Sequence, residues 1–210
     1  MTPRRDVLAL ASALVLCACG PATPEPRPSF ASPGEGFVGA SSGTQFERYF
    51  PLVHGNLWHY ETTSDDGERG MLLVRARRTS AFEGALVTPT GSRRVSFTSE
   101  GIALLDRSAY VLRGPLVVGT SWTGEHGGRA RIEAVGLRVT VAAGSFDGCV
   151  VTVEDRGGDV PMRYTTTFCP DVGITALDVE ARMAHERAEL RSYGPPVNLG
   201  PEGTSFSSTP

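Results

Sequence analysis

Short runs of β-branched and aromatic residues, each closed off by Gly, Asp, Asn, Ser or Pro, recur from about residue 49 to residue 193. Such runs fit a pleated, half-buried surface, and the residues between them favour tight turns. Trp58, Tyr60 and Thr62 alternate onto one face of a strand, and Asp65-Asp66-Gly67 predicts a hairpin turn into a strand over 71–78. Further strands are expected at 86–88, 94–98, 102–105 and 110–112, and Gly119-Thr120-Ser121-Trp122 closes one unit. Residues 129–135 and 137–141 are expected as a hairpin around Gly136, followed by a turn at Ala143-Gly144-Ser145. Evenly spaced short strands with turn signals predict an all-β fold, an antiparallel sandwich or an open barrel of hairpin-connected strands.

One pairing can be given a register. Strands over 149–154 and 163–169 flank the polar turn Arg156-Gly157-Gly158-Asp159. A hairpin centred on Asp159 sets Cys149 opposite Cys169, with Val150 opposite Phe168 and Thr152 opposite Thr166 on the other face. Cysteines facing each other across a non-hydrogen-bonded pair have about the Cα separation that a bridge needs. The expected outcome is a Cys149–Cys169 disulfide, since no Cys-x-x-Cys spacing is present to tune a reactive thiolate.

The other two cysteines lie near the start. Residues 1–18 have the parts of an export signal: a basic beginning at Arg4-Arg5, an apolar stretch to Leu16, and the small Ala18 before Cys19. Leu16-Cys17-Ala18-Cys19 matches the cleavage and lipidation pattern of bacterial lipoproteins, so Cys19 is expected to carry the acyl anchor. Arg4-Arg5-Asp6-Val7-Leu8 also bears a short likeness to the twin-arginine export signal. Residues 19–44, with five prolines from Pro21 to Pro33, cannot bury enough apolar surface to fold and are expected to form a tether. At about 3 Å per residue its extended limit is roughly 70 Å. Residues 45–193 then form the β domain and 194–210 a disordered tail. Gly20, where aspartate would signal inner-membrane retention in many Gram-negative bacteria, points to a lipid-anchored position at the outer membrane, facing the periplasm.

Charge and motif content narrow the function classes. The formal charge is −3, and removing Arg4, Arg5 and Asp6 takes away a net +1, leaving −4. Weak acidity argues against nucleic acid, which calls for a concentrated basic stripe. Arg77-Arg78 and Arg93-Arg94 read as solvated strand residues. No stretch after the signal approaches the roughly twenty apolar residues of a spanning helix, so membrane attachment is assigned to the lipid. There is no Gly-x-Ser-x-Gly elbow, no His-Glu-x-x-His helix, no calcium loop and no phosphate loop. His54, His59, His126 and His185 are scattered, which suggests neither a metal site nor a cofactor. The expectation is a non-enzymatic domain, although a triad built from distant residues leaves no local motif.

Three segments together resemble a family of bacterial lipoproteins and secreted β proteins of unknown function: Tyr49-Phe50-Pro51-Leu52 with Gly55-Asn56, Trp58 and Tyr60; Gly119-Thr120-Ser121-Trp122; and 141–149 leading to Phe168-Cys169-Pro170-Asp171-Val172-Gly173-Ile174. The resemblance covers about 46–193 and implies an antiparallel β domain. It brings no catalytic residues. Residues 176–192 suit either a helix or a hairpin turning near Ala184-His185 by propensity, and the resemblance implies the hairpin. Trp58 and Trp122 each follow a turn at a strand start, where a ring can plug a sheet fold while its N–H meets a carbonyl. The same rings, with Tyr60, could instead line a ligand site.

Two readings follow. In the first, the lipid-anchored domain is an interaction or structural module for an envelope protein partner. In the second, the sheet curls around a cavity and carries a lipid or other apolar molecule. An exposed apolar patch or open sheet edge favours the first, and an unfilled interior favours the second.

Overall fold

The computed structural model describes residues 43–195; the expected signal, the expected lipidation site Cys19, nearly all of the expected tether and most of the expected tail lie outside the described residues. A single turn of 3-10 helix, Gln45–Tyr49, is followed by twelve strands and no α-helix among these residues. The strands are β1 (Leu57–Ser64), β2 (Arg69–Arg78), β3 (Glu83–Thr88), β4 (Gly91–Phe97), β5 (Gly101–Leu104), β6 (Tyr110–Arg113), β7 (Ser121–Thr123), β8 (Arg129–Val141), β9 (Gly144–Arg156), β10 (Met162–Cys169), β11 (Gly173–Ala181) and β12 (Ala184–Gly194). All lie in one antiparallel sheet in the order β6-β5-β4-β3-β2-β1-β12-β11-β10-β9-β8-β7, curled into a nearly closed barrel. Of the two expected architectures, the barrel is the one formed.

Two six-strand meanders make up this sheet, and they join where β1 pairs with β12. The remaining seam lies between β6 and β7, the two edges. A lone parallel bridge, Tyr110 to Gly124, spans it. The Trp122 indole adds a second tie, its Nε1–H donating to the Tyr110 carbonyl at 3.0 Å. Both edge strands are short, and each lies against the other, which is one way a barrel disposes of unpaired backbone groups.

Period-two alternation decides which side chains face inward. On β2, Leu72, Val74, Ala76 and Arg78 are the covered positions, and on β9 they include Val150, Thr152 and Glu154. One end of the barrel is filled. Phe46, Phe50, Leu52, Trp58, Phe97, Phe168 and Val172 are all nearly inaccessible there, so the 3-10 turn and the segment after it act as a stopper. The Trp58 Nε1–H donates to Val172 O at 2.7 Å and the Tyr60 hydroxyl to Ile174 O at 2.9 Å, fastening β1 to the start of β11. Between those two acceptors Gly173 has φ +98°, a backbone conformation that favours glycine, although a Cβ there would meet Pro51 and the Trp58 ring only at ordinary contact distance. Burial raises the Tyr60 phenol above its ordinary range.

The Cys149–Cys169 disulfide is present at a Cα separation of 4.2 Å. Its hairpin has the expected register, with Val150 opposite Phe168 and Thr152 opposite Thr166. Residues 176–192 form the β11–β12 hairpin, turning at Arg182-Met183.

Two expectations are corrected. Gly136 is not a hairpin turn: β8 runs unbroken through it and pairs with β9 on both sides. Its φ of +71° sits among register shifts from Ile132 to Val139, so the glycine serves a bulged, bent strand. Arg78 is not solvated. It is 3% exposed, its Nη1 lies 2.6 Å from Glu47 Oε1, its Nε donates to Ser80 O at 2.7 Å, its Nη2 donates to Ala81 O, and its guanidinium lies over the Phe97 ring. The charge pattern could not reveal this, because the partner carboxylate comes from the 3-10 turn.

Candidate functional site

Opposite the stoppered end the barrel is not filled by its own side chains. A cleft of about 560 Å³ opens there, and a smaller space of about 70 Å³ continues it inward. Its walls come from alternate residues of several strands: Tyr60 of β1, Leu72 and Val74 of β2, Leu86 of β3, Leu104 of β5, and Leu177 of β11. Ala188 of β12, opposite Leu177, leaves room where a larger residue would close it. The volume lies within the range of small-molecule sites, roughly 300–1,000 Å³.

Charged residues ring the mouth. Arg93 from β4, Asp106 and Arg107 from the β5–β6 turn, Glu125 and His126 from the β7–β8 turn, and Arg156 at the end of β9 all line it. Most are paired. Arg93 Nη2 lies 2.6 Å from Glu125 Oε1, and Arg107 Nη2 lies 2.9 Å from Asp106 Oδ2. Arg107 Nη1 also donates to the Glu125 carbonyl at 3.2 Å. These contacts carry the rim across the β6–β7 seam.

The β7–β8 turn is held from inside by Glu154. One carboxylate oxygen accepts from the backbone N–H of Gly128 at 2.7 Å and of His126 at 2.9 Å. The other lies 3.0 Å from His126 Nδ1, which donates to it. The His126 ring stacks flat on Tyr164, centroids 3.6 Å apart, and its Nε2 lies 3.4 Å from Glu125 Oε1. A Cβ at Gly124 would run into the Glu154 carboxylate, so only glycine permits the approach. Burial pushes the Glu154 carboxyl upward, but hydrogen bonds from the His126 ring and the two amides, with the attraction of the imidazole, outweigh it and hold the group below its ordinary value.

The residues singled out from sequence fall in different places. Tyr60 lines the floor of the cleft, Trp58 borders a space of only about 20 Å³ beneath it, and Trp122 lies at the seam. His54 Nδ1 donates to Arg78 O at 3.3 Å, and His185 bonds Asp178 on the β11–β12 hairpin. Among the described residues no group of three or more His, Cys, Asp or Glu side chains converges as a metal site would require. The rim residues Arg93, Glu125, His126, Glu154 and Arg156 were missed. The available signal was Glu154, an acidic residue in phase with Val150 and Thr152, which the hairpin register sets on one face opposite Phe168 and Thr166.

No protein-family model matches this chain, and no curated protein matches it in sequence. Its outline resembles solved structures. One is described as "a putative lipoprotein" from Parabacteroides distasonis ATCC 8503, with TM-score 0.45 and 11% identity over 70% of this chain and 98% of the other. Another is "a putative exported protein with YmcC-like fold" from Bacteroides fragilis NCTC 9343, with TM-score 0.42 and 10% identity over 67% of this chain and 96% of the other. Function is therefore read from this chain's own geometry.

Proposed function

We propose that this is a non-enzymatic envelope domain, anchored through an acylated Cys19 at the outer membrane, that binds an amphipathic small molecule in its barrel. The observation that carries the binding role is the cleft itself, apolar in its depth and charged at its rim, beside an opposite end that is packed solid. Tyr60, Leu72, Val74, Leu86 and Leu177 would receive the apolar part, leaving the polar end among the arginines and carboxylates. An interaction module that adds a strand to a partner has less support, because the two edge strands are short and face each other. The anchor and its outer-membrane destination are supported by Leu16-Cys17-Ala18-Cys19 and Gly20 in the sequence.

The test is a native mass spectrum of the chain exported to a periplasm with Cys19→Ser, purified without detergent, together with titration of the neutral fluorophore N-phenylnaphthylamine. A small-molecule adduct lost on denaturation, or saturable fluorophore binding, is expected. Ala188→Trp should fill the cleft and weaken fluorophore binding at least tenfold while the fold persists by circular dichroism. A bare mass with no saturable binding, or equal binding by the folded Ala188→Trp variant, overturns the proposal.

A further inference from the structure

Among the described residues, the arginines that are not largely exposed are Arg78, Arg113, Arg131 and Arg156. Three of them meet a carboxylate: Arg78 meets Glu47, Arg113 meets Glu100, and Arg131 meets both Asp155 and Glu133. Arg156 does not. It is half-buried at the mouth of the cleft, and its Nη2 reaches the Met162 thioether at 2.9 Å. The Tyr164 hydroxyl points to the same sulfur at 3.3 Å. A thioether is a weak acceptor, whereas a guanidinium and a phenol are strong donors. Two strong donors thus converge on one poor acceptor beside an open cleft.

Strand geometry makes this convergence structural. Met162 stands opposite Arg156 in the β9–β10 ladder, and Tyr164 stands opposite Glu154. Tyr164 is further fixed by the stacked His126 ring, whose Nδ1 is itself held by the Glu154 carboxylate. Glu154 is already committed to the His126 ring and two amides. Around the cleft and its inner continuation Arg93, Arg107 and Arg156 face Asp106, Glu125 and Glu154; Arg93 pairs with Glu125, Arg107 with Asp106 and Glu154 with His126, and Arg156 is the arginine among them that lacks a carboxylate partner.

We infer that Arg156 and Tyr164 form the head-group site for a single carboxylate, and that the ligand class is a long-chain fatty acid lying with its chain toward Tyr60 and Leu177. A carboxylate offers two oxygens in the plane of a guanidinium and supplies the one partner that Arg156 lacks. A phosphate would bring a second charge with no further unpaired arginine among the cleft residues to meet it. This inference rests on the cleft being a binding site, and its test separates the two ideas.

The exported Cys19→Ser chain, free of its own acyl groups, is delipidated and titrated with cis-parinaric acid and with cis-parinaric acid methyl ester near neutral pH. The expected result is that the acid binds at least tenfold more tightly than the ester. Arg156→Gln should bring that ratio close to one by weakening the acid alone, Arg156→Lys should restore part of it, and Tyr164→Phe should reduce it less. Equal, saturable binding of acid and ester by the unsubstituted chain overturns the carboxylate site while leaving the cleft as a binding site. Binding of neither probe overturns both. An acid preference that survives Arg156→Gln in a variant melting like the parent overturns the role of Arg156.

Discussion

The Trp122 indole N–H and the Tyr110 carbonyl meet at 3.0 Å across the one seam of the described sheet, so a side chain completes what the backbone ladder leaves open. Trp122 is nearly buried, and its loss would take the indole donor away from that carbonyl. Trp122→Phe, which keeps an aromatic ring but removes the donor, is expected to cost about 1–3 kcal/mol in urea denaturation. Amide hydrogen exchange should rise at β6 and β7 before it rises at β1 and β12. Uniform protection loss across all strands would count against a seam role.

The Glu47–Arg78 pair is expected to respond asymmetrically. Arg78 is almost fully buried and also serves the Ser80 and Ala81 carbonyls, so Arg78→Met removes the guanidinium from two carbonyls and from its pair with Glu47. It should destabilise by about 3–5 kcal/mol. Glu47→Gln retains an acceptor for the guanidinium and should cost less. Equal losses in thermal melts would show that the carbonyl contacts contribute little.

Acid stability should depend on Glu154. Its carboxyl is held below the ordinary value of 4.5 on folding, so its contribution is present in full above about pH 4.5 and is lost as pH falls through the lower folded value. Glu154→Gln should be less stable at pH 7 by about 1.5–3 kcal/mol, the scale of hydrogen bonds to a charged group. That gap should narrow below pH 4.5. Denaturation curves for the two proteins that stay a constant distance apart from pH 7 to pH 3 would refute the assignment.

The disulfide gives a fourth expectation. Replacing Cys149 and Cys169 together with serine should lower stability by about 2–5 kcal/mol, as typical of exported domains. Because the pair sits inside an already paired hairpin behind the stopper, the variant should keep its β-sheet circular dichroism at low temperature. A variant with no cooperative melt at all would mean that the bridge is needed to form the hairpin, not only to hold it.

How much of this was legible in the sequence depends on the range of the interaction. The Cys149–Cys169 register came directly from one hairpin, because period-two geometry and a polar turn act within twenty residues. Trp58, Tyr60 and Thr62 were correctly grouped for the same local reason. The rim was not legible. Arg93 meets Glu125, and Glu154 meets His126, only after the barrel curls, and no local pattern encodes those approaches. Arg78 was misread because its burial depends on Glu47, Ser80, Ala81 and Phe97 together. Gly136 was misread because a glycine between two apolar runs can mark either a turn or a bulge, and only pairing with β9 decides between them.

The join between β1 and β12 has a consequence in time. Trp58 pairs with Tyr193, so the first strand to leave the ribosome has its second neighbour in the last. Until residues 184–194 have been made, β1 can pair only with β2, and the barrel exists as two unfinished meanders. Contacts so distant along the chain favour slow folding, since the cost of bringing the ends together precedes the gain. A nascent chain halted before β12 would leave β1 and β11 with bare edges, exposed to pairing with other chains.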